Sequence, residues 1–238
     1  MDVLLIIAIM LLGPLIGGLL GVIKRPSEGL MLGMLAFAAG IMLSVSFFDL
    51  IPEGVRISSA PLCALGFGIG LAIMLLFERL IPHMHPPPFQ KKSRLERASF
   101  YLLAGIFIHK FPEGMAIGIG SLSSFGLSLT IALALAVHYI PETACISSSY
   151  YYLTRSRLKP FLLSMSIVLP AIAGFAFADF LFPLASSEIL GMLTGATAGL
   201  MVYISGHELM PVSFRKSRIR AVLAFALGVL LVLGLGMV

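Results

Sequence analysis

Eight apolar stretches, each long enough to cross a bilayer, follow one another with almost no chain left between them. They lie at about 2–23, 30–51, 61–81, 98–120, 127–150, 161–182, 188–210 and 219–238. A membrane-spanning helix needs about 20 such residues to cross roughly 30 Å of hydrocarbon. Barrel strands would be about half as long and would alternate in polarity, which these runs do not. Composition agrees, with 59% hydrophobic and only 11% charged residues. An ordinary globular domain carries about 25% charged residues, so this chain cannot cover a water-facing surface. Disordered chains are poor in hydrophobic residues, which excludes that class too. Two cysteines, Cys63 and Cys145, cannot form a disulfide framework. The expected fold is an all-α integral membrane protein of eight transmembrane helices, forming one domain over residues 1–238.

The basic residues predict its orientation. The first apolar run has no basic segment before it and exceeds the length of a signal-peptide core, so it reads as an anchor. Lys24 and Arg25 follow it and place the N-terminus outside. The odd-numbered loops then face the cytoplasm and hold Lys24, Arg25, Lys91, Lys92, Arg94, Arg97, Arg155, Arg157, Lys159, Arg215, Lys216, Arg218 and Arg220. Outside loops hold only Arg56, a strong positive-inside bias that puts both termini on the extracytoplasmic side. The net charge of +5 is therefore a matter of topology and implies no nucleic-acid partner. The longest loop, about 82–97, contains Pro82, Pro86, Pro87 and Pro88 and cannot be one helix.

Glycines recur four residues apart at Gly17/Gly21, Gly66/Gly70, Gly114/Gly118 and Gly191/Gly195/Gly199. Helices in lipid gain little from hydrophobic burial against one another, so small residues that admit close backbone approach supply the packing.

Ionisable side chains at membrane depth cost a few kcal/mol each and mark pathways or sites. The fourth run contains His109-Lys110-Phe111-Pro112-Glu113, and the fifth contains His138-Tyr139-Ile140-Pro141-Glu142. Each reads His-x-x-Pro-Glu, which puts histidine and glutamate on one helix face. Consecutive spans run antiparallel, so two imidazoles and two carboxylates can converge. Such a donor set suits zinc, and Fe²⁺, Mn²⁺ or Co²⁺ as well. Proline after each histidine frees a backbone carbonyl and tends to kink the helix. A polar site without thiolates, deep in a membrane, suits reversible binding.

These motifs resemble those of the ZIP (Zrt/Irt-like) divalent metal transporters, of the prokaryotic type. The resemblance covers the whole chain in span number, orientation and the ordinal position of both motifs. It implies that His109, Glu113, His138 and Glu142 form the primary metal site, and that the function is divalent metal transport into the cytoplasm by alternating access. Zinc is the expected cargo, with iron, manganese and cadmium as alternatives. No cofactor is expected beyond the transported ion. The resemblance also implies a multi-pass protein of the cell membrane and is compatible with a homodimer. Asp49, in Phe48-Asp49-Leu50-Ile51-Pro52-Glu53, and His207 and Glu208, in Gly206-His207-Glu208-Leu209-Met210-Pro211, match its polar segments in spans two and seven. They are assigned to the transport pathway together with Lys110. His83 and His85, in the cytoplasmic loop, are candidates for capturing metal as it leaves.

The departures matter as well. Many family members build a second metal site from residues after each motif histidine and from a glutamate before a proline in span six. Here those positions hold Lys110, Tyr139 and Leu169. One metal per subunit is therefore expected, with Lys110 supplying the charge of the missing ion by pairing with Glu113 or Glu142. Cys145 reads as a small core residue. An intramembrane metal-dependent hydrolase is the competing function. Against it, His207-Glu208 is not followed by the second histidine of a zinc-protease motif. No Gly-x-Ser-x-Gly elbow and no phosphate-binding ATPase loop occurs either.

Overall fold

The computed structural model describes residues 2–23, 27–80, 110–122, 124–154, 156–215 and 217–235. The described chain is helical: α1 (Asp2–Ile23), α2 (Glu28–Ser44), α3 (Ile51–Ile57), α4 (Ala60–Leu80), α5 (110–122), α6 (Phe125–Thr154), α7 (Leu158–Ser166), α8 (Val168–Leu181), α9 (Ser187–Tyr203), α10 (Met210–Ser213) and α11 (Arg218–Leu235). Among the described residues, seven helical segments are long and apolar enough to cross a membrane. They match the first, second, third, fifth, sixth, seventh and eighth apolar runs. Of the fourth run, only the end from residue 110 is described, as α5.

Glycine stripes set the packing. On α1, side chains added at Gly13, Gly17 and Gly21 would collide with Ala136, Ile140 and Ser147 of α6. Between α4 and α9 the fit is reciprocal. Gly66 and Gly70 meet Met192 and Ala196, while Gly195 and Gly199 meet Cys63 and Phe67. Gly114 of α5 meets Ala171 of α8, and Gly174 of α8 meets Phe111 in return. Gly40 and Gly228 bring α2 and α11 together in the same manner. Close backbone approach substitutes here for the hydrophobic drive that lipid removes. Leucines on the outer faces, including Leu4, Leu76, Leu223 and Leu230, are exposed, as side chains facing hydrocarbon should be.

Two spans share a device that lies ahead of a proline. A π-helical turn, Val45–Leu50, joins α2 to α3, and a second, Ile204–Leu209, joins α9 to α10. In the first, the Ile51 N–H donates to Ser46 O; in the second, the Met210 N–H donates to Ser205 O. The serine hydroxyls donate back to Met42 O and Met201 O, each at 2.8 Å. Pro52 and Pro211 follow and have no N–H to continue the regular ladder. Such single-turn bulges concentrate at functional sites. The interruption expected at the motif prolines Pro112 and Pro141 is not found there, since α5 and α6 run through them as continuous helices; it falls in spans two and seven instead. Span six is interrupted at Ile167, three residues before Pro170.

Candidate metal centre

α5 and α6 present their polar faces to each other inside the bundle. Glu113 of α5 and His138 and Glu142 of α6 bring one ligand atom apiece to within 4.8 Å of one another. His138 Nε2 stands 3.1 Å from Glu142 Oε2 and 3.7 Å from Glu113 Oε1. Glu113 and His138 are each 1% exposed, while the Glu142 side chain is 18% exposed and forms the open edge of the group. His138 and Glu142 are one helical turn apart on α6, so the fixed i, i+4 geometry of the helix aims them at one point. Glu113 arrives from the other helix. Its position is held by the backbone contact of Gly114 with α8.

Lys110 lies at the middle of this group. Its Nζ donates to Glu113 Oε2 at 2.8 Å, forms an ion pair with Glu142 Oε2, and stands 3.3 Å from His138 Nε2. The side chain is fully buried. It does not reach out to the membrane surface, as a lysine near a helix end often does. It pairs with both of the carboxylates with which the sequence offered it a choice. The ammonium also lies 4.1 Å from the centroid of the Tyr139 ring. Tyr139 is buried where Gly13 of α1 presses against its Cβ. His138 Nε2 thus faces both an ammonium donor, Lys110, and a carboxylate acceptor, Glu142 Oε2 at 3.1 Å, while its buried Nδ1 makes no hydrogen bond.

The other assigned residues are dispersed. Asp49 sits in the first π turn, where its Oδ2 is buried without a hydrogen bond. His207 sits in the second and is exposed; its ring stacks on Tyr203 with centroids 4.9 Å apart. Neither joins the three-residue group. Glu208 lies in the same π turn as His207. Its side chain, that of Cys145, and all of His83, His85 and His109 lie outside the described residues. Leu169 is exposed. Two features were not read from the sequence. The Lys110–Tyr139 contact joins the residues that follow the two motif histidines. The paired π turns carry a shared pattern that could have revealed them: Ser46-x-x-Asp49-x-x-Pro52 and Ser205-x-x-Glu208-x-x-Pro211.

An imidazole nitrogen and two carboxylates converging in a buried site, with no thiolate among the described residues, are the donors of a borderline divalent cation. Comparison with known proteins agrees with that chemistry. The ZIP zinc transporter family profile matches residues 89–236. The zinc transporter ZupT of Escherichia coli O127:H6 (strain E2348/69) is 32% identical over 208 residues, covering 83% of this chain and 81% of its own length. ZupT of Salmonella heidelberg (strain SL476) is 34% identical over the same extent. With eight-run hydropathy, glycine-packed helices and a buried histidine–carboxylate group already in view, the profile and these relatives establish that the chain belongs to the ZIP family of zinc transporters.

Proposed function

We propose that this protein moves zinc, and divalent cations of similar chemistry, into the cytoplasm across the cell membrane. The cation binds between α5 and α6 at Glu113, His138 and Glu142, with His109 completing the set. It then leaves toward the basic loops as the bundle alternates its access. The observation that carries this reading is the convergence of Glu113, His138 and Glu142 within 4.8 Å at a buried site, in a chain similar to zinc transporters over 83% of its length.

Each part follows from physical chemistry. Oxygen and nitrogen ligands without thiolate hold zinc at about 2.0–2.2 Å and still release it. Partial exposure of Glu142 gives the ion one way in. The two π turns, with Asp49, His207 and Glu208, supply irregular backbone and polar side chains along the route. Irregular backbone at membrane depth is tolerated where it lines a cavity. The excess of Lys and Arg in alternate loops supports eight spans with both termini outside. One cation per subunit is bound, since Lys110, Tyr139 and Leu169 stand where a second site would need ligands.

Zinc flux into proteoliposomes, with bound zinc counted per chain, tests the reading. Flux with one ion per chain supports it. Bound zinc without flux in oriented, folded protein contradicts it and points to a sensor.

A further inference from the structure

We infer that Lys110 is a tethered cation that fills the metal position when the centre is empty and is displaced when metal arrives. The inference rests on the transport reading above and deepens it. Three observations carry it. First, Nζ contacts all three groups of the candidate centre, bonding Glu113 and Glu142 and lying 3.3 Å from His138 Nε2. These are the same atoms that a divalent ion would take, so ammonium and metal cannot both occupy the position. Second, the side chain is wholly buried, so its charge acts on the centre and not on solvent. Third, the ammonium already lies over the Tyr139 ring, 4.1 Å from its centroid, a partner that no metal ion competes for and that Nζ keeps within reach when the carboxylates are taken.

The consequence concerns the return half of a transport cycle. A carrier that has released its ion must reorient with two buried carboxylates. Leaving such charges without a partner is strongly unfavourable. With Lys110 between them, one positive charge stays in the centre on the empty journey. Metal in one direction then alternates with the lysine ammonium in the other, without that ammonium leaving the protein. The same competition weakens metal binding and so assists release on the cytoplasmic side.

The test compares two fluxes in proteoliposomes with radioactive zinc. Net uptake requires the empty carrier to return, whereas zinc-for-zinc exchange across zinc-loaded vesicles does not. Lys110→Met should bind zinc more tightly than wild type. Its ratio of exchange to net uptake should rise by about tenfold or more, the scale set by removing one partner from a buried pair. Lys110→Arg, which keeps a cation, should stay closer to wild type. A Lys110→Met protein with the wild-type ratio overturns the inference. So does one that loses both fluxes equally while binding zinc with wild-type affinity, because the lysine is then only a structural tie. If wild type shows neither flux, the transport reading fails by itself. The structure of zinc-loaded wild-type protein then decides the lysine question, as it does if the variants do not fold. Zinc among Glu113, His138 and Glu142 with the ammonium moved away supports displacement. Lys110 still seated between the carboxylates at saturating zinc contradicts it.

Discussion

Lys110 Nζ stands 3.3 Å from His138 Nε2, which brings the residue after one motif histidine against the histidine of the other motif. The two copies of His-x-x-Pro-Glu are thus interleaved. α5 contributes a cation and a carboxylate, and α6 an imidazole and a carboxylate. The resulting group is compact, with nitrogen and oxygen donors that could hold a metal ion.

That donor set predicts selectivity. Mg²⁺ and Ca²⁺ prefer six or more oxygen ligands, or retained water, and gain little from an imidazole. Cadmium accepts the same mixed set as zinc. An excess of Mg²⁺ or Ca²⁺ of about tenfold should leave zinc uptake unchanged, while equimolar Cd²⁺ should compete. Competition assays with radioactive zinc in vesicles measure this directly. Strong inhibition by Mg²⁺ would mean that the rate-limiting site is built of oxygens alone.

Packing makes a separate prediction. Gly70 of α4 presses on the backbone of Ala196 and Leu200 in α9, while Gly68 has nothing within 4 Å of the position a side chain would begin. Gly68→Ala should therefore leave the melting temperature in detergent nearly unchanged. Gly70→Leu should lower it sharply, because overpacking against backbone costs at least about 1–3 kcal/mol. Thermal shift by size-exclusion chromatography distinguishes the two. Equal effects of both variants would mean that α4 and α9 do not touch along this stripe.

Orientation can be read chemically. In a background lacking Cys63 and Cys145, Asp2→Cys should react with a membrane-impermeant maleimide in intact cells. Lys92→Cys should react only after the membrane is opened. The reverse pattern would mean that the positive-inside bias does not set the topology of this chain.

Much of this arrangement is legible in the sequence because membranes simplify the problem. Continuous apolar runs give span boundaries to within a few residues: the run read at about 2–23 is α1, Asp2–Ile23, and that read at about 61–81 is α4, Ala60–Leu80. Four-residue glycine spacing points to contacts such as Gly66 on Met192 and Gly195 on Cys63. Helical spacing puts His138 and Glu142 on one face. What spacing cannot supply is which helix each face meets. That is why the Lys110–Tyr139 contact and the full pairing of Lys110 emerge only in three dimensions. The π turns escaped for a different reason. Proline signals an interrupted ladder, but the same Pro-Glu pair follows a π turn at Pro52 and lies within a continuous helix at Pro141.

The central claim is that metal crosses through the group on α6 facing Glu113. Its most direct test is radioactive zinc uptake into proteoliposomes by wild type, His138→Ala and Glu142→Ala, each shown to be folded by its elution and melting behaviour. Even partners of metal ligands typically cost about 10–100-fold when removed. Loss of either ligand should therefore lower uptake at least about tenfold, with the bound ion lost as well. Wild-type uptake in both variants would contradict the account and leave the paired motifs as a structural tie between two helices.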